Sequence, residues 1–324
     1  MDSIVSMNTT LPLVSVLVGV YNQAKVVEIS VNSILAQSYQ NIELIISDDS
    51  STDGSPEVLQ RIAKTNRKVR LFLQEKNLGI TRNYNFLAER ARGKYIALFA
   101  GDDVMFPEKI EEQIKLLERK ESASFCHHAV EVIDHAGKTR GVISHKYRNG
   151  MTTIHDVLRN LGIPGAMSIV CRRDSVRAPL MDPAIPTASD WLQMIHLTMV
   201  GAGLYIDAPL CSYRRDFGYN GKDPSRYEDD FVKTISMARA AYASPGDAID
   251  RSCDYALARY SIGAGYRRLM RGERELARSY FKTAKAEPKF IVPAYILTFV
   301  SLFKVPTGPL LLIKRAYKAI THGK

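Results

Sequence analysis

The chain has little with which to cross-link itself or to cross a membrane. Its four cysteines, Cys126, Cys171, Cys211 and Cys253, are far apart in 324 residues and include no Cys-x-x-Cys pair. That spacing argues against a disulfide frame or a zinc site and suits free, mostly buried thiols in a reducing compartment. The amino terminus, Met1 to Thr10, lacks a basic segment followed by an apolar core, so no secretory signal is read and a cytoplasmic location is expected. The apolar runs near the carboxyl end, Phe290 to Phe303 and Val305 to Ile313, are broken by Pro293, Pro306 and Pro309, and each is too short to span a bilayer. Acidic charge is also in short supply. A net charge of +10 points to an anionic partner. The basic residues are not interleaved with aromatics in a nucleic-acid module, so a phosphorylated substrate or an anionic membrane surface is expected and nucleic acid is not.

Two phosphate-binding signatures are absent as well. No Gly-x-Gly-x-x-Gly follows the first apolar run and no Gly-x-x-x-x-Gly-Lys-Ser/Thr occurs anywhere, which argues against a dinucleotide site and a P-loop. What the chain has instead is an apolar strand pattern that ends in carboxylates, twice. Tyr95 to Ala100 runs into Gly101-Asp102-Asp103, and Asn41 to Ser47 runs into Asp48-Asp49. Leu13 to Val20 reads as a further buried strand, followed by Tyr21-Asn22. Helices are expected over about Ala24 to Gln37, Pro56 to Thr65, Ile80 to Arg92 and Glu108 to Arg119, with a short strand at Val69 to Leu73. Alternating strands and helices imply a mainly parallel sheet with right-handed crossovers. Ligands of such sheets bind at the carboxyl ends of the strands, where an aspartate can hold a divalent cation on a phosphate. The competing reading of Asp102-Asp103 is a solvated turn that caps the helix after Pro107.

Four stretches, in order and spacing, carry a resemblance to a known family. Val-Ser-Val-Leu-Val-Gly-Val-Tyr-Asn (14–22), Asp-Asp-Ser-Ser-Thr-Asp-Gly-Ser (48–55), Asn-Leu-Gly-Ile-Thr-Arg-Asn (77–83) and Gly-Asp-Asp-Val-Met-Phe-Pro-Glu-Lys (101–109) resemble the bacterial-type, family-two inverting glycosyltransferases that use nucleotide sugars. The likeness covers roughly residues 12–220. It implies the A-type glycosyltransferase fold, an α/β Rossmann-like nucleotide-sugar domain.

Residue roles follow from the resemblance position by position. Tyr21 and Asp49 fall where the family contacts the nucleoside, and Arg82 falls where a basic side chain approaches the nucleotide. Asp102 falls on the last aspartate of the family's Asp-x-Asp motif, which binds the metal, Mn²⁺ or Mg²⁺. The first position of that motif is Ala100 here, so the protein offers one direct metal ligand, and metal affinity without nucleotide should be weak. Asp190, in Ser189-Asp190-Trp191, falls on the catalytic base, with serine in place of a more usual glutamate. Either Ser189 or Asp190 also suits a helix cap. Trp191, the only tryptophan, fits the core or a sugar platform equally. Gly203 to Arg214 resembles the family's last strand. Asp216 stands where members often have histidine, which leaves Arg214, Arg215 or a Tyr219-Asn220-Gly221 loop to close the site. The stretch from Ile163 to Val170 is where the family commonly contacts the acceptor.

Cys126-His127-His128 lies in an alternating stretch, Ser124 to Asp134. Neighbouring residues of a strand point to opposite faces and cannot close on one ion, so a metal site there is not expected. After about Arg226 the pattern is wholly helical. Gly265, Ala277, Phe281, Ala284 and Pro288 resemble one tetratricopeptide-like helical pair. The broken apolar runs that follow, set among Lys304, Lys314, Arg315, Lys318 and Lys324, read as an interfacial segment attracted to anionic lipid, or else as a helix packed on the catalytic domain.

The expectation is therefore a glycosyltransferase catalytic domain over residues 1–225 and a helical region over 226–324. The enzyme would move a sugar, with inversion, from a nucleoside-diphosphate sugar of UDP or dTDP type to a hydroxyl of a saccharide or lipid-linked acceptor, as in cell-surface polysaccharide synthesis. It would act in the cytoplasm, in peripheral contact with the inner face of the membrane. A catalytically inactive scaffold of the same fold is the alternative.

Overall fold

The computed structural model describes residues 11–145, 147–215 and 228–302. The Tyr219-Asn220-Gly221 loop, Asp216 and everything beyond Leu302 therefore lie outside the described residues. The chain divides into two compact units, Met1–Ile154 with Gly162–Tyr227, and His155–Leu161 with Glu228–Lys324. The division expected at residue 225 thus differs in one respect, because a short segment from the middle of the chain joins the helical unit.

In the first unit the strands are β1 (Val14–Val20), β2 (Ile42–Asp48), β3 (Val69–Leu73), β4 (Tyr95–Ala100), β5 (Val104–Met105), β6 (Phe125–Ile133), β7 (Thr139–Ile143), β8 (Met151–Thr152), β9 (Val170–Arg172) and β10 (Gly203–Arg214). The helices are α1 (Val27–Leu35), α2 (Ser55–Thr65), α3 (Ile80–Ala88), α4 (Lys109–Arg119), α5 (Ile154–Asn160), which runs into the second unit, and α6 (Ser189–Val200). The strands form one sheet in the order β3-β2-β1-β4-β9-β6-β10-β5, with β7 on β6 and β8 on β10. From β3 to β4 all neighbours are parallel, and β9 enters antiparallel between β4 and β6. The inner parallel strands β1, β2 and β4 are largely apolar because helices cover both sides of the sheet there. Val16, Leu44, Ile46, Ala97 and Phe99 are buried in the resulting core with Val27, Leu59, Ile110 and Ile114 from the helices.

This order sets the place of the site. From β1 the chain steps to β2 on one side, and after β3 it returns to β4 on the other, so the crevice between β1 and β4 is a topological switch point. Where α3 stops also matters. The helix expected to reach Arg92 ends at Ala88. The N–H groups of Arg92 and Gly93 turn away to Glu43 Oε1 at 2.7 Å and Ser15 Oγ at 2.8 Å. Those acceptors lie on β1 and β2, far away in sequence, so nothing local announces the stop.

The second unit holds α7 (Glu228–Tyr242), α8 (Ala248–Met270), α9 (Arg274–Ala284) and α10 (Ile291–Ser301). Segment His155–Leu161 joins it through His155 Nδ1, 3.0 Å from Ser252 Oγ, and through Arg259, which donates to the Arg159 carbonyl. The helical pair read from the sequence is α8 and α9. A Cβ on Gly265 would stand 2.5 Å from the Phe281 ring, so only glycine lets these helices approach. Ala277, Phe281 and Ala284 are fully buried there with Ile262 and Phe290.

Candidate active site

The strand ends are tied into fixed loops before any site chemistry is considered. At the end of β1, Asn22 adopts a left-handed conformation with φ 53°. Its N–H donates to Ser51 Oγ, and its own Oδ1 accepts from the Thr52 N–H, both at 2.8 Å. Asp53 accepts from the Ala24 N–H at 2.9 Å, and Ser55 Oγ accepts from the Gln23 N–H at 2.9 Å. Much of the Asp-Asp-Ser-Ser-Thr-Asp-Gly-Ser stretch therefore serves to lock the β1 and β2 loops together, and Asp49 is the member left for a ligand.

Asp49 sits in a cradle built by the third motif. Its Oδ1 accepts from the Leu78 N–H at 2.6 Å and its Oδ2 from the Gly79 N–H at 2.9 Å, while Asn77 Nδ2 donates to its carbonyl at 3.0 Å. Gly79 has φ 79°, which turns the two N–H groups inward. Burial pushes the Asp49 carboxyl above its ordinary range, with the two N–H donors opposing and Asp48 adding. Each carboxylate oxygen keeps a lone pair for a ligand N–H or O–H.

At the end of β4 the chain turns on Gly101, where a Cβ would stand 2.5 Å from Gln23 Oε1 and 2.9 Å from Val20 Cγ2. Asp103 turns inward, is buried, and accepts the Arg214 N–H at 3.0 Å. Arg214 Nε donates to the Asp102 carbonyl at 3.1 Å, and its Nη1 donates to the carbonyls of Asp134 and His135 at 3.1 and 3.2 Å. The buried arginine thus braces the turn that presents Asp102. Its Nε and Nη1 donors are engaged by backbone carbonyls. Asp102 itself is pushed up to about 6 by burial, with its own N–H, the Arg214 charge and the Gln23 amide opposing. Asp103 is held well above the carboxylate range by burial and by the charge of Asp102.

Asp190 reaches the same place from the far side of the fold. Thr81 Oγ1, on α3, hydrogen-bonds the carbonyls of Ile185 and Pro186 at 2.8 and 2.9 Å. Asn85 exchanges two hydrogen bonds with Met181, at 2.8 and 2.7 Å. Helix α3 therefore clamps the loop that leads into α6. Neither Ser189 nor Asp190 is the cap of α6, which corrects the sequence expectation: the N-cap is Ala188, with no side-chain cap bond. Ser189 Oγ instead accepts the Asp182 N–H at 2.5 Å. Asp190 lies in the first turn, pushed up to about 6 by burial against the opposing pull of the Trp191 N–H and its own. Trp191 is buried and is not part of the cavity wall, so it belongs to the core.

One cavity of about 430 Å³ brings these groups together. Tyr21, Asp49, Asp102, Asp103 and Asp190 line it, as does the segment from Pro164 to Met167. Arg82 does not: it is exposed on α3 and off the cavity wall. Gln23 and Tyr84 are among the lining residues that went unread in the sequence. The Tyr84 hydroxyl donates to the Phe99 carbonyl at 2.6 Å and lies among Asp102, Asp103 and Asp190, whose charges add to burial in raising it. Its only signal was an aromatic residue one place after Asn83.

A divalent cation fits this corner in one way. Among the described residues no three His, Cys, Asp or Glu side chains gather to hold an ion by themselves. Asp102 offers hard oxygen donors in a buried setting that penalises its charge in the absence of a cation, so an ion held here would need the rest of its shell from ligand oxygens and water. The Cys126-His127-His128 stretch is no alternative. His127 Nε2 is hydrogen-bonded to Thr152 Oγ1 at 2.6 Å, and His128 Nδ1 donates to the Ala129 carbonyl at 2.6 Å. Burial holds both rings neutral, His127 pushed down to about 3.

Comparison with known proteins agrees with this fold. Solved structures of similar fold include residues 1–349 of Staphylococcus aureus TarS with UDP-GlcNAc (TM-score 0.66, 13% identity, 94% of this chain and 91% of that one). Another is the mannosyltransferase PcManGT of Pyrobaculum calidifontis with GDP-Man and Mn²⁺ (TM-score 0.53, 16% identity, 97% of this chain and 85% of that one). At such identities they speak for the A-type fold alone. Bacillus subtilis TuaG, a glycosyltransferase named for teichuronic acid biosynthesis, is 31% identical over 197 residues, 60% of this chain and 76% of its own. The B. subtilis glycosyltransferase EpsE is 39% identical over 109 residues, 33% of this chain and 39% of its own. The family model described as glycosyl transferase family 2 matches residues 15–177, the stretch that supplies β1 through β9 and with them Tyr21, Asp49 and Asp102. By that match the chain is a glycosyltransferase and belongs to glycosyl transferase family 2.

Proposed function

We propose that this enzyme transfers a sugar from a nucleoside-diphosphate sugar to a hydroxyl of a saccharide or lipid-linked acceptor, with inversion, in the building of cell-surface polysaccharide. The observation that carries the reading is the gathering of Asp49, Asp102 and Asp190 on the wall of one cavity at the β1/β4 switch point. The nucleotides bound to TarS and PcManGT support a nucleotide-sugar donor, and the name of TuaG supports the polysaccharide context.

Asp49 accepts a hydrogen bond from the base, held for it by the Leu78 and Gly79 N–H groups, and Tyr21 lies beside it on the wall. Asp102 would hold Mn²⁺ or Mg²⁺, which when bound would neutralise charge on the departing group. Asp190 accepts the acceptor hydroxyl's proton as that oxygen bonds to the anomeric carbon. The bond from that carbon to the diphosphate oxygen breaks, and its electron pair leaves with the nucleoside diphosphate. A carboxyl pushed up to about 6 is still mostly ionised at pH 7 and is a stronger base than an ordinary aspartate. Arg82, exposed on α3 and off the cavity wall, contacts the nucleotide where the donor extends past the cavity towards that helix. The basic carboxyl-terminal region would bring the enzyme to an anionic membrane, where a lipid-linked acceptor would be met.

A thermal-shift screen of nucleoside diphosphates and their sugars, with and without Mn²⁺, tests this reading. Stabilisation is expected from at least one nucleoside diphosphate only when Mn²⁺ is present, and it should be lost in Asp102→Asn. Tight Mn²⁺ binding without nucleotide, or an unchanged shift in the variant, would overturn the role of Asp102.

A further inference from the structure

Helix α10 has two apolar faces, one buried and one exposed. Ala294, Leu297 and Ser301 are buried, the first two packed in the second unit's core with Phe281 and Phe290. Val292, Tyr295, Ile296, Phe299 and Leu302 are exposed by 66, 60, 49, 62 and 59%. Steps of three, one, three and three residues place these five on a single stripe. Isolated exposed apolar side chains are ordinary, but a stripe of five on one helix marks a surface that meets something.

The surroundings say what it meets. Helix α10 contains no charged residue. Lys285 Nζ lies 3.9 Å above the Tyr295 ring, and Lys282 and Lys289 are exposed at the preceding turns. From Leu276 to Leu302 the sequence has four basic residues, Arg278, Lys282, Lys285 and Lys289, against one acidic residue, Glu287. From Phe303 to Lys324 it has five basic residues and no acidic one. An apolar stripe rimmed by cations matches the boundary between anionic headgroups and acyl chains. A second copy of this chain is a poorer match, because pairing two stripes would bring the same lysines together. At 11 residues α10 is roughly 16 Å long, about half of a hydrocarbon core, so it would lie in the surface and not cross it.

We propose that the stripe of Val292, Tyr295, Ile296, Phe299 and Leu302 is the face by which this enzyme enters the surface of an anionic bilayer. Tyr295 sits at headgroup depth with the lysines on lipid phosphates. The proposal rests on the membrane contact put forward above and assigns that contact to one helix face.

The test uses the full chain and vesicles of phosphatidylcholine, alone or mixed with phosphatidylglycerol. Co-sedimentation should require the anionic lipid and should weaken with salt without vanishing, because the apolar contribution is not screened. The variant Ile296→Ser/Phe299→Ser/Leu302→Ser, whose changes are on exposed positions, should keep its melting temperature and nucleotide binding and lose at least about tenfold in partitioning. Phe299→Trp should give a blue-shifted emission only with anionic vesicles. Undiminished binding by the triple variant would overturn the assignment to α10 while leaving a membrane contact elsewhere. Absence of binding by the unaltered chain would overturn both. A dimer dispersed by the same substitutions, with no vesicle binding, would make the stripe a self-association face instead.

Discussion

A Cβ on Gly19 would stand 3.1 Å from Cε2 and 3.2 Å from Cζ of Tyr84, so the end of β1 and the tyrosine of α3 are fitted to each other. The Tyr84 hydroxyl cannot give way freely, since it donates to the Phe99 carbonyl on β4. The two contacts hold α3 across the switch point that the cavity occupies.

Gly19→Ala should therefore cost about 1–2 kcal/mol of stability through overpacking and should weaken nucleoside diphosphate binding. Adding Tyr84→Leu should recover part of the loss, with a coupling of about 1 kcal/mol in a double-mutant cycle read by chemical denaturation. Strictly additive costs would mean that the two residues do not constrain each other.

What the sequence made legible here was local. An apolar run that ends in carboxylates can be read without knowing the fold, which is why β2 and β4 were found with Asp49 and Asp102 at their ends. The α8/α9 pair was legible for a different reason, because Gly265, Ala277, Phe281, Ala284 and Pro288 together resemble one tetratricopeptide-like helical pair. What stayed hidden depended on partners distant in sequence. The end of α3 is set by Glu43 and Ser15, the loop before Asp190 is held by Thr81 and Asn85, and the turn at Asp102 is braced by Arg214. The cap expected at Ser189 or Asp190 failed because Ser189 is drawn to Asp182.

The site's carboxylates should also cost the ligand-free protein some stability. Asp190 is pushed up to about 6 from an ordinary 3.8, so the folded state holds its proton more tightly than the unfolded one. That contribution is fully present below pH 3.8 and is lost as pH rises through about 6. Asp190→Asn should raise the melting temperature of the ligand-free protein at pH 7 and leave it nearly unchanged at about pH 3, below both pKa values, where the carboxyl is mostly protonated in the folded and unfolded chain alike. A lower melting temperature at pH 7 would show that the carboxylate stabilises the start of α6 instead.

The most direct measurement is sugar transfer by Asp190→Asn with donor binding followed in parallel. The account predicts donor affinity within about twofold of the unaltered enzyme and turnover reduced by at least about a hundredfold, the scale of general-base catalysis. In the unaltered enzyme turnover should fall as pH drops below about 6, where Asp190 takes up its proton. Near-normal turnover by the variant, or a pH profile flat through that range, would contradict the assignment of Asp190 as the base.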